Sequence, residues 1–264
     1  KTGEVTWIDA GQKTEVMLTS ARFSDDGRHL AAQAMSADFK DRWILAVETA
    51  TGKTRVLFHE HDDAWSDGPG AHGFDWLPDN ELIWFRSEST GWAHVYTVDF
   101  ASGQTRQLTS GNWEVMQVRL TPDRQQFVLV TSEASLYEHQ VYTMAFDGGA
   151  RTRLTTAVGW HAATLSPDGK MMADIHSSSN KPPELYLGRA LPGAAMTRVT
   201  KSPAPEFEAR EWIDTPIVTF RAGDTLQKVK AHKAEKGYTF SGFPVLDEND
   251  HVVGILTAAD SKFA

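Results

Sequence analysis

The sequence predicts a mainly β fold: a partial β-propeller of four full blade repeats, followed by a small α+β unit ordered β-α-β-β-α. Three observations predict it. A Thr-Arg pair recurs at positions 54, 105, 152 and 197, in steps of 51, 47 and 45 residues. Helical periodicity is missing throughout the region these repeats span. Eight of the nine Trp lie before residue 203, and after Trp212 the residue pattern changes character.

The repeats share one plan. The first runs from Ser20-Ala21-Arg22-Phe23-Ser24-Asp25-Asp26-Gly27 through Ile44-Leu45-Ala46-Val47 to Gly52-Lys53-Thr54-Arg55. The second opens on Phe74-Asp75-Trp76-Leu77-Pro78-Asp79 and passes through His94-Val95-Tyr96-Thr97-Val98 to Gly103-Gln104-Thr105-Arg106. The third opens on Val118-Arg119-Leu120-Thr121-Pro122-Asp123, with Gln140-Val141-Tyr142-Thr143-Met144 before Arg151-Thr152-Arg153. The fourth opens on Ala163-Thr164-Leu165-Ser166-Pro167-Asp168-Gly169, with Glu184-Leu185-Tyr186-Leu187 before Met196-Thr197-Arg198. Each unit reads as a strand, a Pro-Asp or Asp-Gly turn, a second strand such as Leu82–Phe85 or Phe127–Val130, an aromatic third strand, and a fourth after a Gly-containing turn. A period of about 45 residues with four short strands is a propeller blade; a β-sandwich with coincidental spacing is the competing reading.

Several motifs in these repeats carry a family resemblance. Ser87-Glu88-Ser89-Thr90-Gly91-Trp92-Ala93-His94-Val95-Tyr96, then Arg106-Gln107-Leu108-Thr109-Ser110-Gly111-Asn112-Trp113-Glu114-Val115, and later His161 to Leu187, resemble the propeller of dipeptidyl-peptidase-IV-type serine peptidases over residues 1–213. The resemblance implies a propeller that sits over a separate hydrolase and controls peptide access, and a periplasmic or extracellular setting. It departs from the family in three respects. The family propeller has more blades than four. The Glu pair that anchors a substrate amino terminus has no convincing counterpart. No G-x-S-x-G elbow occurs, and about 50 residues after the propeller are too few for an α/β-hydrolase. No catalytic residue is therefore assigned.

The last residues read differently. Pro216–Phe220 reads as a strand, Asp224 as the N-cap of a helix over Thr225–Lys236, and Gly237 as its C′ residue. Gly242–Leu246 and Val252–Leu256 read as a hairpin across Asp247-Glu248-Asn249-Asp250, and Thr257-Ala258-Ala259-Asp260 starts another helix. This order, with Thr215-Pro216-Ile217-Val218, Phe240–Val245 and Gly254–Asp260, resembles a cystathionine-β-synthase-type (CBS) motif, closest in flavour to that of inosine-monophosphate dehydrogenase and GMP reductase. That resemblance implies an adenine or guanine nucleotide held by Gly254, Thr257 and Asp260, and a cytoplasmic setting. A helix N-terminus does offer free N–H groups to an anion, but Thr-x-x-Asp is also close to a simple capping box. Such motifs work in pairs, and one is present. The expected divisions are a propeller over 1–203, a Pro-containing linker over 204–214, and a single CBS-type motif over 215–264.

Composition narrows the partners. Lys plus Arg number 26 against 35 Asp plus Glu, a net charge of −9, which argues against phosphate-backbone binding to nucleic acid. No apolar run reaches the length of a membrane span. Cysteine is absent, which excludes disulfides, thiolate metal sites and a cysteine nucleophile. The chain opens on Lys1-Thr2-Gly3 and reads as an excised or processed piece. His59 and His61 share one strand face, and with Asp67 or His72 they form either a zinc-type site or part of a solvated inter-blade loop; no metal ligand is assigned. Glu133–His139 reads as a surface loop. The expected partners are a peptide or protein, a nucleotide, and, because an incomplete propeller leaves open sheet edges, a second copy of the chain. Three functions follow: a non-catalytic peptide-binding scaffold fused to half a nucleotide sensor, a truncated or chimeric peptidase fragment, or a regulatory fragment of a purine-nucleotide enzyme.

Overall fold

The computed structural model describes residues 3, 5–66, 68, 73–212, 242–246 and 252–257. Contacts divide the chain into two compact units, Lys1–Ser178 with Pro182–Ser202, and Ser179–Lys181 with Pro203–Ala264.

The first unit is four antiparallel four-stranded meanders in sequence order. Blade 1 holds β1 (Val16–Phe23), β2 (Leu30–Ser36), β3 (Asp41–Val47) and β4 (Thr54–His61). Blade 2 holds β5 (Phe74–Trp76), β6 (Leu82–Ser87), β7 (His94–Asp99) and β8 (Thr105–Gln107). Blade 3 holds β9 (Val115–Leu120), β10 (Gln126–Thr131), β11 (Gln140–Ala145) and β12 (Arg151–Arg153). Blade 4 holds β13 (Trp160–Leu165), β14 (Met171–Ser178), β15 (Lys181–Arg189) and β16 (Met196–Arg198). The expected strands and the four-repeat period are therefore found, as a partial propeller.

The turn between the first two strands shows why the repeats stay in phase. Hydroxyls of Ser24, Thr121 and Ser166 donate to Asp26, Asp123 and Asp168 at 2.6, 2.5 and 2.6 Å. Each carboxylate also accepts a backbone N–H, from Arg28, Gln125 or Lys170, at 3.0, 3.1 and 3.1 Å. These hydroxyl bonds, aided by the backbone donors, hold all three carboxyls below their ordinary range. The residue after each Asp then enters the left-handed region: Gly27 at φ 71°, Arg124 at 54° and Gly169 at 69°, with Asn80 at 60° in blade 2.

Strand alternation does the rest. One face of each blade packs on the next, and three clusters of the core lie between blades. Ala31, Ile44, Ala46 and Leu57 of blade 1 meet Phe74, Trp76, Ile83, Phe85, Tyr96 and Val98 of blade 2. Leu77, Trp84, Val95 and Leu108 meet Trp113, Val115, Phe127, Leu129, Tyr142 and Met144 of blade 3. Val128, Val130, Val141 and Leu154 meet Ala163 and Met172 of blade 4. Trp76 is 1% exposed, and its indole N–H donates to Arg22 O at 3.0 Å, which satisfies it in the core.

In the second unit, part of the expected linker is helical: α1 (Pro205–Glu208) starts on Pro205, with Glu206 and Glu208 in its first turn. Proline at the first helical position and acids near the N-terminus favour that turn. Trp212 closes it, donating to Phe207 O at 2.9 Å with its ring 4.4 Å from Phe207. The hairpin forms as expected, from β17 (Gly242–Leu246) and β18 (Val252–Thr257), paired antiparallel. The expected strand Pro216–Phe220, the helix over Thr225–Lys236 and the helix reaching Asp260 lie outside the described residues.

Candidate functional site

In each blade the turn between the second and third strands lies at the end where the fourth strand hands over to the next blade. Several buried charged side chains that bond between blades lie along this rim.

Blade 1 shows how the strands aim them. Across β3 and β4, Asp41 faces His61, Arg42 faces Glu60 and Trp43 faces His59. Alternation sends Arg42 and Glu60 toward blade 2, and the other pairs to the opposite face. Arg42 is fully buried, and its Nη2 donates to Glu60 Oε2 at 2.7 Å and to Arg86 O at 2.6 Å. Glu60 Oε1 accepts from Ser87 Oγ at 2.8 Å and from Glu88 N–H at 2.9 Å. One carboxylate thus caps the next blade's turn and neutralises a buried guanidinium.

The relay continues outward from blade 2. Arg86 Nη1 donates to Val115 O at 3.3 Å and to Met116 O at 2.5 Å of blade 3, and burial pushes its guanidinium down to about 10. Glu114 of the crossover accepts Ala93 N–H at 2.7 Å, and its own N–H donates to Ser132 Oγ at 2.8 Å. Burial raises the Glu114 carboxyl, and the nearby Glu88 charge adds to the rise. In blade 3, Arg151 forks onto Glu133 at 2.6 and 2.5 Å and lies 5.0 Å over the Trp113 ring. These bonds hold fixed charges at the junctions of blades 1, 2 and 3.

A second repeated device sits beside it. Thr109, Thr155 and Thr200 follow the fourth strands, and their hydroxyls accept the N–H of Val95, Val141 and Leu185 at 3.0, 2.9 and 2.9 Å. Each hydroxyl is also bonded to the third-strand side chain just before that N–H: His94 Nδ1 at 3.0 Å, Gln140 Oε1 at 2.7 Å, and Glu184 Oε2. Three unlike residue types thus offer one acceptor at one place. Burial lowers the His94 pKa, which suits an imidazole whose Nε2 donates to Gly111 O at 3.0 Å while Nδ1 accepts.

The crossover from blade 3 to blade 4 is pinned by three histidines. His161 is bonded to Asp174 Oδ2 at 2.6 Å and to Ala157 O at 2.9 Å, and its side chain and that of Asp174 are both almost wholly buried. His176 Nε2 reaches Val158 O at 3.0 Å and its ring stacks on His161 at 4.3 Å. His139 stacks on Trp160 at 4.0 Å, and burial lowers its pKa. The stretch Glu133–His139, expected as a plain surface loop, therefore contributes Glu133 and His139 to the rim.

The histidine pair on β4 finds a partner the sequence reading missed. His59 Nε2 and His61 Nδ1 approach the same Asp41 oxygen at 2.7 and 2.8 Å, and His61 Nε2 lies 3.3 Å from Asp63. Bonds to Asp41 and then Asp63 raise the His61 pKa. Burial works to raise Asp41, but the His59 and His61 bonds outweigh it and hold the carboxyl below its usual range. Among the described residues, no group of three or more His, Cys, Asp or Glu is placed to hold a metal ion. His61 instead spends both ring nitrogens on carboxylates. Asp67 and His72 lie outside the described residues.

The three residues assigned to a nucleotide are only partly placed. Gly254 pairs with Val245 and Thr257 with Gly242, so both belong to β18. Asp260 lies outside the described residues. Among the described residues, no helix is long and apolar enough to cross a membrane.

Comparisons with known proteins agree with this architecture. The family model described as the dipeptidyl peptidase IV (DPP IV) N-terminal region matches residues 1–183, and a CBS domain model matches residues 209–260. The probable dipeptidyl peptidase 4 of Aspergillus flavus is 26% identical over 172 residues, 61% of this chain and 22% of that protein. The dipeptidyl peptidase 4 of Trichophyton equinum is 24% identical over 194 residues, 70% of this chain and 23% of that protein. The chain therefore spans less than a quarter of either relative. The crystal structure of Porphyromonas gingivalis dipeptidyl peptidase 4 superposes with a TM-score of 0.60 at 20% identity, covering 70% of this chain and 26% of that one. A putative dipeptidyl aminopeptidase IV from Bacteroides ovatus gives 0.58 at 17%, covering 73% and 31%. At such identities the likeness is one of fold.

Proposed function

The chain belongs to the family of dipeptidyl peptidase IV N-terminal regions, and from that premise we propose that its propeller is a non-catalytic scaffold that binds peptide or protein partners, joined to half of a nucleotide-sensing module. The observation that carries the reading is the rim: Arg42, Glu60, Arg86 and Glu114 bond to backbone from blade to blade, and Glu133 and Arg151 pair with each other within blade 3. Fixed charges at the ends of consecutive blades suit the polar and charged groups of a bound chain. They do not activate a nucleophile, and the sequence has no strained elbow to carry one. The domain limits of this reading are 1–203, 204–214 and 215–264. A second copy of the chain belongs to it as a partner. Whether the fusion is natural or recombined does not alter what each part binds.

The CBS match supports a second activity. CBS domains can bind nucleotides, and Gly254, Thr257 and Asp260 are the residues assigned to an adenine or guanine nucleotide. Thermal unfolding with and without millimolar AMP, ATP or GMP tests this. A ligand at about 100 times its dissociation constant stabilises the native state by about 2.7 kcal/mol. A shift abolished by Asp260→Ala supports the sensor; no shift with any nucleotide leaves Thr257 and Asp260 as a helix cap.

A further inference from the structure

The blade ends opposite the rim carry the turns between first and second strands and between third and fourth strands. Clefts lie there between consecutive blades. One of about 400 Å³ sits between blades 1 and 2, and one of about 440 Å³ between blades 3 and 4. Volumes of this order suit small molecules.

The same elements build both clefts. Thr54 and Thr152, the threonines of the repeated Thr-Arg pair, line them, and so do Val47 and Thr143, their partners across the third and fourth strands. Phe100 and Ala190 hold one place in the following blade. Their N–H groups donate at 2.9 Å to Glu81 O and Lys170 O, each just past the turn of its own blade. The fold therefore sets a cleft but not its charge.

The charges differ. Asp123 and Asp168 line the cleft of blades 3 and 4, among Pro122, Pro167 and Pro192. The cleft of blades 1 and 2 has Arg28, Lys53 and Arg55 against one carboxylate, Glu48, which accepts from Thr51 Oγ1 at 2.6 Å. Arg28 Nε lies 3.6 Å from Asp26 Oδ2. Arg55 Nη2 donates to a neutral partner, Phe100 O, at 2.5 Å, which holds the guanidinium at the junction of the two blades. Its equivalent in blade 3, Arg153, instead gives Nε to Thr155 O at 2.6 Å and does not line the second cleft. Asp99 is near enough to feel the Arg55 charge, but its Oδ1 takes bonds from Ser102 N–H and Oγ at 2.7 and 2.6 Å. Among the described residues, neither Lys53 nor Arg55 has a carboxylate within ion-pair distance. In a chain of net charge −9, two cations without a carboxylate partner share one cleft. Beside them lie apolar walls: Ala46 and Val47 are buried, and the Phe100 ring lies 4.6 Å from that of His29.

We propose that the cleft between blades 1 and 2 binds a small organic phosphate. Lys53 and Arg55 hold its dianionic head, and its apolar or aromatic body lies along Val47 and Phe100. A phosphomonoester carries close to two negative charges at neutral pH, which matches two cations where a lone carboxylate matches one. The site is at the other end of the blades from the rim and does not rest on the peptide-binding reading.

Isothermal titration calorimetry of the full chain with phenyl phosphate, inorganic phosphate and benzoate at low ionic strength tests it. The expected result is saturable binding of phenyl phosphate with a dissociation constant below about 1 mM. Inorganic phosphate, which lacks the ring, and benzoate, which carries one charge, bind more weakly. Lys53→Gln and Arg55→Gln, both at exposed positions and checked for fold by circular dichroism, each raise the dissociation constant at least ~5-fold. Lys170→Gln removes the same charge from the same end of blade 4, at a side chain 77% exposed, and leaves the affinity within about 2-fold. No saturable binding of phenyl phosphate overturns the proposal. Binding that survives both cleft variants, or that falls as far in Lys170→Gln, overturns this cleft as the site. Inorganic phosphate or benzoate binding as tightly as phenyl phosphate overturns the phosphomonoester as its ligand.

Discussion

Replacing Glu60 by Leu strands the Arg42 guanidinium, which is fully buried, and removes the acceptor used by Ser87 Oγ and Glu88 N–H. Breaking a buried ion pair from one side costs about 3–5 kcal/mol, far more than an exposed pair, because the surviving charge stays out of water. For a domain of this size each kcal/mol lowers Tm by about 2–4 °C, so Glu60→Leu is expected to melt roughly 6–20 °C earlier. Urea unfolding followed by tryptophan fluorescence measures the loss, since eight of the nine Trp lie before residue 203. Adding Arg42→Met to Glu60→Leu removes the stranded charge and is expected to recover most of the loss. A single variant that loses less than about 1 kcal/mol, or a double variant no better than the single, refutes the idea that this pair couples blades 1 and 2.

Other perturbations read the remaining devices. Thr155→Val leaves Gln140 Oε1 and Val141 N–H without their shared hydroxyl and should cost about 2–6 kcal/mol, at about 1–3 kcal/mol for each orphaned group; Thr155→Ser should restore most of it in the same urea assay. The raised His61 pKa means its bonds to Asp41 and Asp63 stabilise the fold fully below the ordinary histidine value, and that contribution is lost as pH climbs through the raised one. NMR titration of His61 should show the raised value falling back toward ordinary in Asp41→Asn, and no change would refute the assignment. Gly159 stands at φ 129°, and a Cβ there would run into Ser177 O, so Gly159→Ala should lower Tm by several degrees through strain of about 1–3 kcal/mol; an unchanged Tm would contradict the tight crossover.

The propeller was legible because its turn chemistry repeats in the chain itself. Ser24-Asp25-Asp26-Gly27, Thr121-Pro122-Asp123 and Ser166-Pro167-Asp168-Gly169 make one hydroxyl–carboxylate turn, and identical physics needs near-identical residues. The rim was less legible because one role can be filled by different side chains. His94, Gln140 and Glu184 all offer an acceptor to a closing threonine, and no residue identity links them. Asp41 escaped for another reason. It lies 20 residues before its bonding partner His61, and only the β3–β4 register brings them opposite. Counting that hairpin back from Val47↔Thr54 would have found Arg42–Glu60 and Asp41–His61 together, once the extra residue at Leu57 was recognised as a bulge. Along the chain the His pair lies nearer to Asp67 and His72, so sequence alone points to those two instead. In the second unit, the hairpin was legible from two β-rich runs around a polar turn, and α1 was hidden because its four residues are too short to show periodicity.

The central claim is a scaffold that binds peptide without cutting it. The most direct test is to incubate the full chain with a fluorescent peptide carrying Xaa-Pro at its amino terminus, and to read anisotropy and peptide mass from the same sample. The account predicts saturable binding, weakened by Arg86→Met, with the peptide intact. Cleavage by this chain alone, or no binding at any concentration reached, would contradict it.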